Sequence, residues 1–252
     1  LVCALLRHSL TVSKQGEITM RFLALLILSL ATFPLTAQAE RLKAVASFSI
    51  LADMVQTVGG DLVDTSSIVG PDSDAHTYSP TVSDARAVAQ ADIIFVNGLG
   101  FEGWVGDLIA ASGNDAPVAV VTRDITPLLV EGEADPHAWN ALANGQKYAR
   151  VIMEELSALD PANAAVYATN HQAYADAMQA MLDRAQPAFA ALLDNQRTVV
   201  TGHDAFGYFE TQFGLRFLAP LGINTEAEPS AKTLAALINQ IREESVGGLF
   251  VE

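Results

Sequence analysis

From residue 40 onward, short apolar runs alternate with stretches whose apolar residues recur at intervals of three and four. Residues 42–47 read as a buried strand, and 49–58 as a helix closed by Gly59-Gly60. A second apolar run at 66–70 leads into a polar loop, 71–80. Residues 81–90 then place Val82, Ala85, Val88 and Ala89 on one helical face. A β-branched strand, 92–97, enters Gly98-Leu99-Gly100; a helix at 103–111 and a strand at 117–122 follow. Repeated β-α-β units predict a parallel sheet with right-handed crossovers.

The pattern changes after Asn140. Residues 141–159 read as one helix, and Asp160-Pro161 supplies a cap and a first-turn proline for another. In that second helix Tyr167, Tyr174, Met178, Met181, Leu182, Ala185 and Phe189 recur at spacings of three, four and seven, which carries it to about residue 193 with a kink expected at Pro187. A helix near thirty residues is far above the mean length, and a connector between two lobes explains it. Beyond it come a strand at 197–201, a helix at 205–213, a strand at 215–221, a helix at 231–243 and a strand at 248–251. The fold class is therefore α/β: two (β/α) lobes with parallel sheets joined by one long connector helix. The expected organisation is a leader (1–39), a first lobe (40–160), the connector (161–194) and a second lobe (195–252) that reads as incomplete.

Composition narrows the class. Half of the 252 residues are hydrophobic but only 7% are aromatic, so Ala, Val and Leu must build the cores. At about 150 residues per domain this length allows one or two domains. Within the leader, Met20-Arg21, an apolar stretch from Phe22 to Ala31, and Ala37-Gln38-Ala39 form a secretory signal peptide over 20–39; residues 1–19 read as an upstream extension. The one cysteine, Cys3, falls in that extension, so no disulfide and no thiolate metal site is expected after cleavage. No cysteine ends the apolar stretch, so a periplasmic protein without a lipid anchor or stable membrane insertion is expected. Of 14 basic and 29 acidic residues, Arg7, Lys14, Arg21 and Glu17 precede Glu40, which leaves 11 and 28 and a net charge of −17. Such a surface repels phosphate backbones and argues against nucleic acid as a partner.

Chemistry concentrates in histidines. There are five, and His8 lies in the leader. His76, His137 and His203 share one setting, each at or just beyond the end of a predicted strand. Ligands of open α/β sheets bind outside the carboxyl ends of strands, and three imidazoles converging there suit Zn²⁺. On spacing alone they could equally be ordinary loop histidines: they lie about sixty residues apart, with no short-range ligand pair. Asp135 could orient an imidazole through its second N–H, or start a turn with Pro136. Trp104 and Trp139 read as packing residues, and His171 as an exposed position on the connector. Gly98-Leu99-Gly100 lacks the spacing and the lysine of a nucleotide loop.

The motifs around the histidines say more. Asp74-x-His76-x-Tyr78-x-Pro80, Asn97-Gly98-Leu99-Gly100-Phe101-Glu102-Gly103-Trp104, Asp135-Pro136-His137-x-Trp139 and His203-Asp204-Ala205-Phe206-Gly207-Tyr208-Phe209 occur in this order. From about Lys43 to Glu252, including Asn224–Ser230, the chain resembles the cluster A-I solute-binding proteins, the zinc and manganese receptors of ABC importers. That resemblance implies two lobes bridged by a rigid helix, metal held in the cleft by His76, His137 and His203, delivery to a membrane permease, and a monomer. Manganese-selective members often carry glutamate at the third position, so His203 leans towards zinc, with manganese or mixed selectivity as the alternative. The family's fourth ligand, an aspartate, would follow Glu252; Asp204, Glu226 and Glu228 are candidate substitutes or supporting groups. A three-histidine zinc hydrolase is the rival class, but no H-E-x-x-H motif and no carboxylate placed as a general base accompany the histidines.

Overall fold

The computed structural model describes residues 40–243, 246 and 248–250, and the leader lies outside them. β1 (Leu42–Phe48) is buried along nearly its whole length, as a central strand covered on both faces must be. It pairs in parallel with β2 (Val63–Val69) on one side and β3 (Ile93–Val96) on the other, and β4 (Val118–Val120) extends the sheet beyond β3. The crossover helices are α1 (Ser49–Gly59), α2 (Val82–Ala89) and α3 (Val105–Ser112). α1 buries Leu51, Met54, Val55 and Val58, the i, i+3, i+4, i+7 stripe of a helix lying on a sheet.

A short hairpin of β5 (Leu129–Val130) and β6 (Glu133–Ala134) follows, and sequence patterning gave no sign of it. α4 (Leu142–Leu159) then buries Tyr148, Ile152 and Leu156 one turn apart. Asp160 opens a 3-10 turn, Pro161–Asn163, and its Oδ2 accepts from Asn163 Nδ2 at 2.7 Å and Tyr167 Oη at 2.9 Å.

The long helix is α5 (Ala164–Ala190), 27 residues with Pro187 inside its last turn. It ends three residues short of the expected position because the chain tightens there, Leu192 N–H bonding to Phe189 O at 3.2 Å. Only Tyr167 and Met178 are buried on it, so it rides on the surface of its neighbours. At one end it packs on α1 and α4, where Asn170 Nδ2 donates to Val58 O at 3.0 Å and satisfies a helix-end carbonyl. At the other end Phe189 meets Phe213 at 4.5 Å between ring centroids. That contact belongs to α6 (Gly207–Phe213), which covers a second parallel sheet ordered β8 (Arg216–Leu218), β7 (Thr198–Val200), β9 (Gly248–Leu249). α7 (Ala231–Glu243) lies between β8 and β9 in the chain. The α/β class, the parallel sheets and the long helix all agree with the sequence. Among the described residues no helix is long and apolar enough to cross a membrane.

Candidate metal centre

His76 stands in the loop after β2. Asp74 Oδ1 accepts its backbone N–H at 2.8 Å, Trp104 Nε1 donates to Ala75 O at 2.8 Å, and Tyr78 Oη donates to Asp84 at 2.9 Å. Each of these anchors is polar; two are local to the loop, and Trp104 reaches it from the start of α3.

His137 is built in the same way and then buried. Asp135 Oδ1 accepts its backbone N–H at 2.9 Å, so both Asp-x-His motifs form the same Asx turn. Here the carboxylate also meets His137 Nδ1 at 2.8 Å. The His137 and Asp135 side chains are 2% and 1% exposed, which leaves this pairing unscreened by water. With a proton held at Nδ1, the lone pair of His137 sits on Nε2. A buried polar network fixes the segment from below. Asn97, at the end of β3, donates through Nδ2 to Pro136 O at 2.9 Å and accepts from Tyr148 Oη at 2.6 Å. Thr122 Oγ1 donates to Asn97 O at 2.5 Å. Glu102 accepts from Ser47 Oγ and from the backbone N–H groups of Asn97 and Gly98, at 2.5, 2.6 and 3.1 Å. Burial pushes the Glu102 carboxyl up, and these three donors pull it back towards the ionised form.

His203 follows β7 in the second sheet, bridging in parallel to Leu221. Two contacts with the segment before α4 hold it close: Asn140 Nδ2 donates to Ala205 O at 2.8 Å, and Tyr208 Oη donates to Asp135 O at 2.8 Å.

The three rings turn the same edge inward. His76 Nε2 is 3.0 Å and His203 Nε2 is 3.2 Å from His137 Nε2, and one ligand atom from each ring lies within 4.8 Å of the others. Nitrogens around a tetrahedral Zn²⁺ at roughly 2.0–2.1 Å stand about 3.3 Å apart. Phe101 and Trp139 wall the rings, with centroids 4.8 Å from His76 and 5.3 Å from His137 respectively. The cleft they share has a volume of about 630 Å³. Burial, then the neighbouring charge of His137, pushes His76 down to about 4 against the pull of Asp74.

Among the described residues these three histidines are the only group placed to hold an ion. Asp204, Glu226 and Glu228 fall outside it. Glu226 and Glu228 are exposed, and Asp204 is half-buried, with burial and then Asp135 raising its pKa. His171, expected at the surface, is partly buried on α5 and also stands apart. Trp104 and Trp139 do pack beside the histidine loops. Sequence reasoning missed Asn97, Glu102, Tyr148 and Tyr208 as positioning groups. Three of them sat inside quoted motifs, and a polar residue ending an otherwise apolar strand was the available signal for Asn97.

The chain as a whole is similar to known proteins. The family model described as zinc-uptake complex component A, periplasmic (ZnuA) matches residues 44–252. The iron ABC transporter substrate-binding lipoprotein MtsA of Streptococcus pyogenes serotype M1 is 33% identical over 239 residues, 90% of this chain and 77% of that one. Two solved structures are similar. The periplasmic zinc binding protein TroA from Treponema pallidum has a TM-score of 0.79 at 27% identity, covering 84% of this chain and 78% of its own. The Mn-bound periplasmic metal binding protein from Candidatus Liberibacter asiaticus has a TM-score of 0.74 at 28% identity, covering 84% and 79%.

Proposed function

The chain belongs to the ZnuA family of periplasmic metal-binding components of ABC transporters, and from that premise we propose that its cargo is Zn²⁺, held by His76, His137 and His203 and handed to a membrane permease. The observation that carries this reading is the Nε2 triad. One lone pair on His137 faces two other ring nitrogens at 3.0 and 3.2 Å, an arrangement a cation satisfies and a hydrogen bond to one partner does not. Imidazole suits Zn²⁺ better than it suits hard cations such as Mn²⁺. The names of similar proteins cover iron, manganese and zinc, so manganese is the second reading, and the donor set favours zinc over it. Capture needs neutral rings and a cleft walled by apolar side chains, and His76 stays neutral well below pH 7. The family is a transporter's substrate-binding component, and the triad serves here to hold an ion for release.

Competitive titration of the purified protein with Zn²⁺ and Mn²⁺ tests the cargo. Zinc is expected to displace manganese, and His76→Ala and His203→Ala are each expected to weaken zinc at least tenfold, the scale on which lost ligand-shell groups act. Manganese displacing zinc would reverse the choice of cargo. Equal zinc affinity in wild type and both variants would remove the triad.

A further inference from the structure

Asp135 has one oxygen fully used and one oxygen with nothing to do. Oδ1 takes both the backbone and the ring N–H of His137, whereas Oδ2 is buried with no hydrogen-bond partner among the described residues. A free carboxylate oxygen in such a place leaves the group free to twist about its last torsion and drop the imidazole, unless something blocks the twist.

The space around that oxygen is set by the start of α6. A Cβ built on Gly207, the first residue of α6, would lie 2.9 Å from Asp135 Oδ2 and 3.6 Å from Leu128 Cδ1. Glycine at the helix start therefore leaves Oδ2 the room it occupies, and a methyl group there would press on it. The next residue completes the seat: Tyr208 Oη donates to the backbone carbonyl of Asp135 and accepts from Leu128 N–H at 3.1 Å. The same short segment carries His203 four residues before Gly207, so one stretch of the second lobe both supplies a ring and braces the carboxylate behind another.

We infer that Gly207 and Tyr208 are positioning residues for metal capture: together they hold Asp135 in the one orientation that aims His137 Nε2 at the ion. The inference deepens the proposed function and rests on His137 being a ligand. A methyl group at position 207 must displace Oδ2, and Oδ2 cannot move alone because Oδ1 is doubly held. The displacement therefore passes to the His137 ring.

The test begins without metal. In the metal-free protein the Nδ1–H of His137 is expected as a downfield, exchange-protected imidazole proton in ¹H–¹⁵N NMR. Gly207→Ala is expected to abolish or shift it and to weaken zinc roughly ten- to a hundredfold, the range found for groups that orient a ligand. Tyr208→Phe, which removes one oxygen and keeps the packing, should give a smaller loss in the same direction, so that misfolding of the alanine variant cannot hide the result. Gly222→Ala, where an added methyl meets no atom within 4 Å, should leave both readings unchanged. In an Asp135→Ala background Gly207→Ala should add less than about threefold, because its target is gone. A ring proton and zinc affinity unmoved by Gly207→Ala, or an equal loss with Asp135 removed, would overturn the positioning role. Loss of the ring proton with unchanged zinc affinity would support the brace and instead overturn His137 as a ligand.

Discussion

His76 shows how burial keeps a ring neutral. The unfolded chain protonates this ring below about pH 6.5, the folded one only near 4, so between those values the unfolded state binds more protons. The contribution of His76 to the stability of the metal-free protein is therefore complete above pH 6.5 and is lost as pH falls towards 4. Urea midpoints of the metal-free protein are expected to drop between pH 7 and pH 5, with a smaller drop in His76→Asn. An identical pH dependence in the variant would show that other groups carry it. For the same reason this ring stays unprotonated in the mildly acidic range, as the proposed role requires. The Asp135–His137 pair adds the complementary device, a carboxylate that fixes which nitrogen carries the lone pair.

The elements that present these residues differ in how plainly the sequence declares them. α1, α4 and α7 carry stripes at helical spacing, and their limits fall within a residue of those expected. α2 announces itself by chemistry: Thr81 and Asp84 form a capping box, with Thr81 N–H bonding to Asp84 Oδ2 at 2.6 Å and Asp84 N–H to Thr81 Oγ1 at 3.4 Å. Asp84 also anchors Tyr78 and, through it, the His76 loop. Asp84→Ala is expected to cost roughly 1–2 kcal/mol in urea denaturation, with no change in m-value. A cost below about 0.3 kcal/mol would mean that the box is ornamental. The β5–β6 hairpin was not legible, because two-residue strands give no periodicity. Its one local signal is Glu131-Gly132, whose φ angles of 53° and 94° make the tight turn that joins two antiparallel strands. The site was legible in part: the three histidines stand out by type and motif. The Asn97–Tyr148–Glu102 network does not, since its partners, Ser47 among them, lie as far as 55 residues apart and only the folded sheet brings them together.

At the scale of the molecule, the site is a seam. Asn140, Tyr208 and the Thr225 Oγ1–Asp74 hydrogen bond of 2.6 Å all cross between the first sheet's loops and the second sheet's segments, beside the three histidines. α5 touches both sides through α1, α4 and α6. On the proposed reading, cargo binding is expected to stabilise the segments around both sheets together. Zinc at a hundredfold excess over its Kd should add about 2.7 kcal/mol, seen as one cooperative shift in thermal unfolding. Two transitions, only one of them zinc-sensitive, would contradict that coupling.

The wide spacing of the histidines has one more consequence. His76, His137 and His203 are separated by 61 and 66 residues, so an unfolded chain offers no ready-made pair of ligands to the ion. On the proposed reading cargo then binds the native state alone, and the population open to a protease is expected to fall in proportion to occupancy. Limited proteolysis of the protein should slow about a hundredfold at zinc a hundred times its Kd, provided cleavage passes through global opening. In a bacterium starved of the ion the empty receptor would be the one degraded, so that its lifetime becomes a gauge of metal supply.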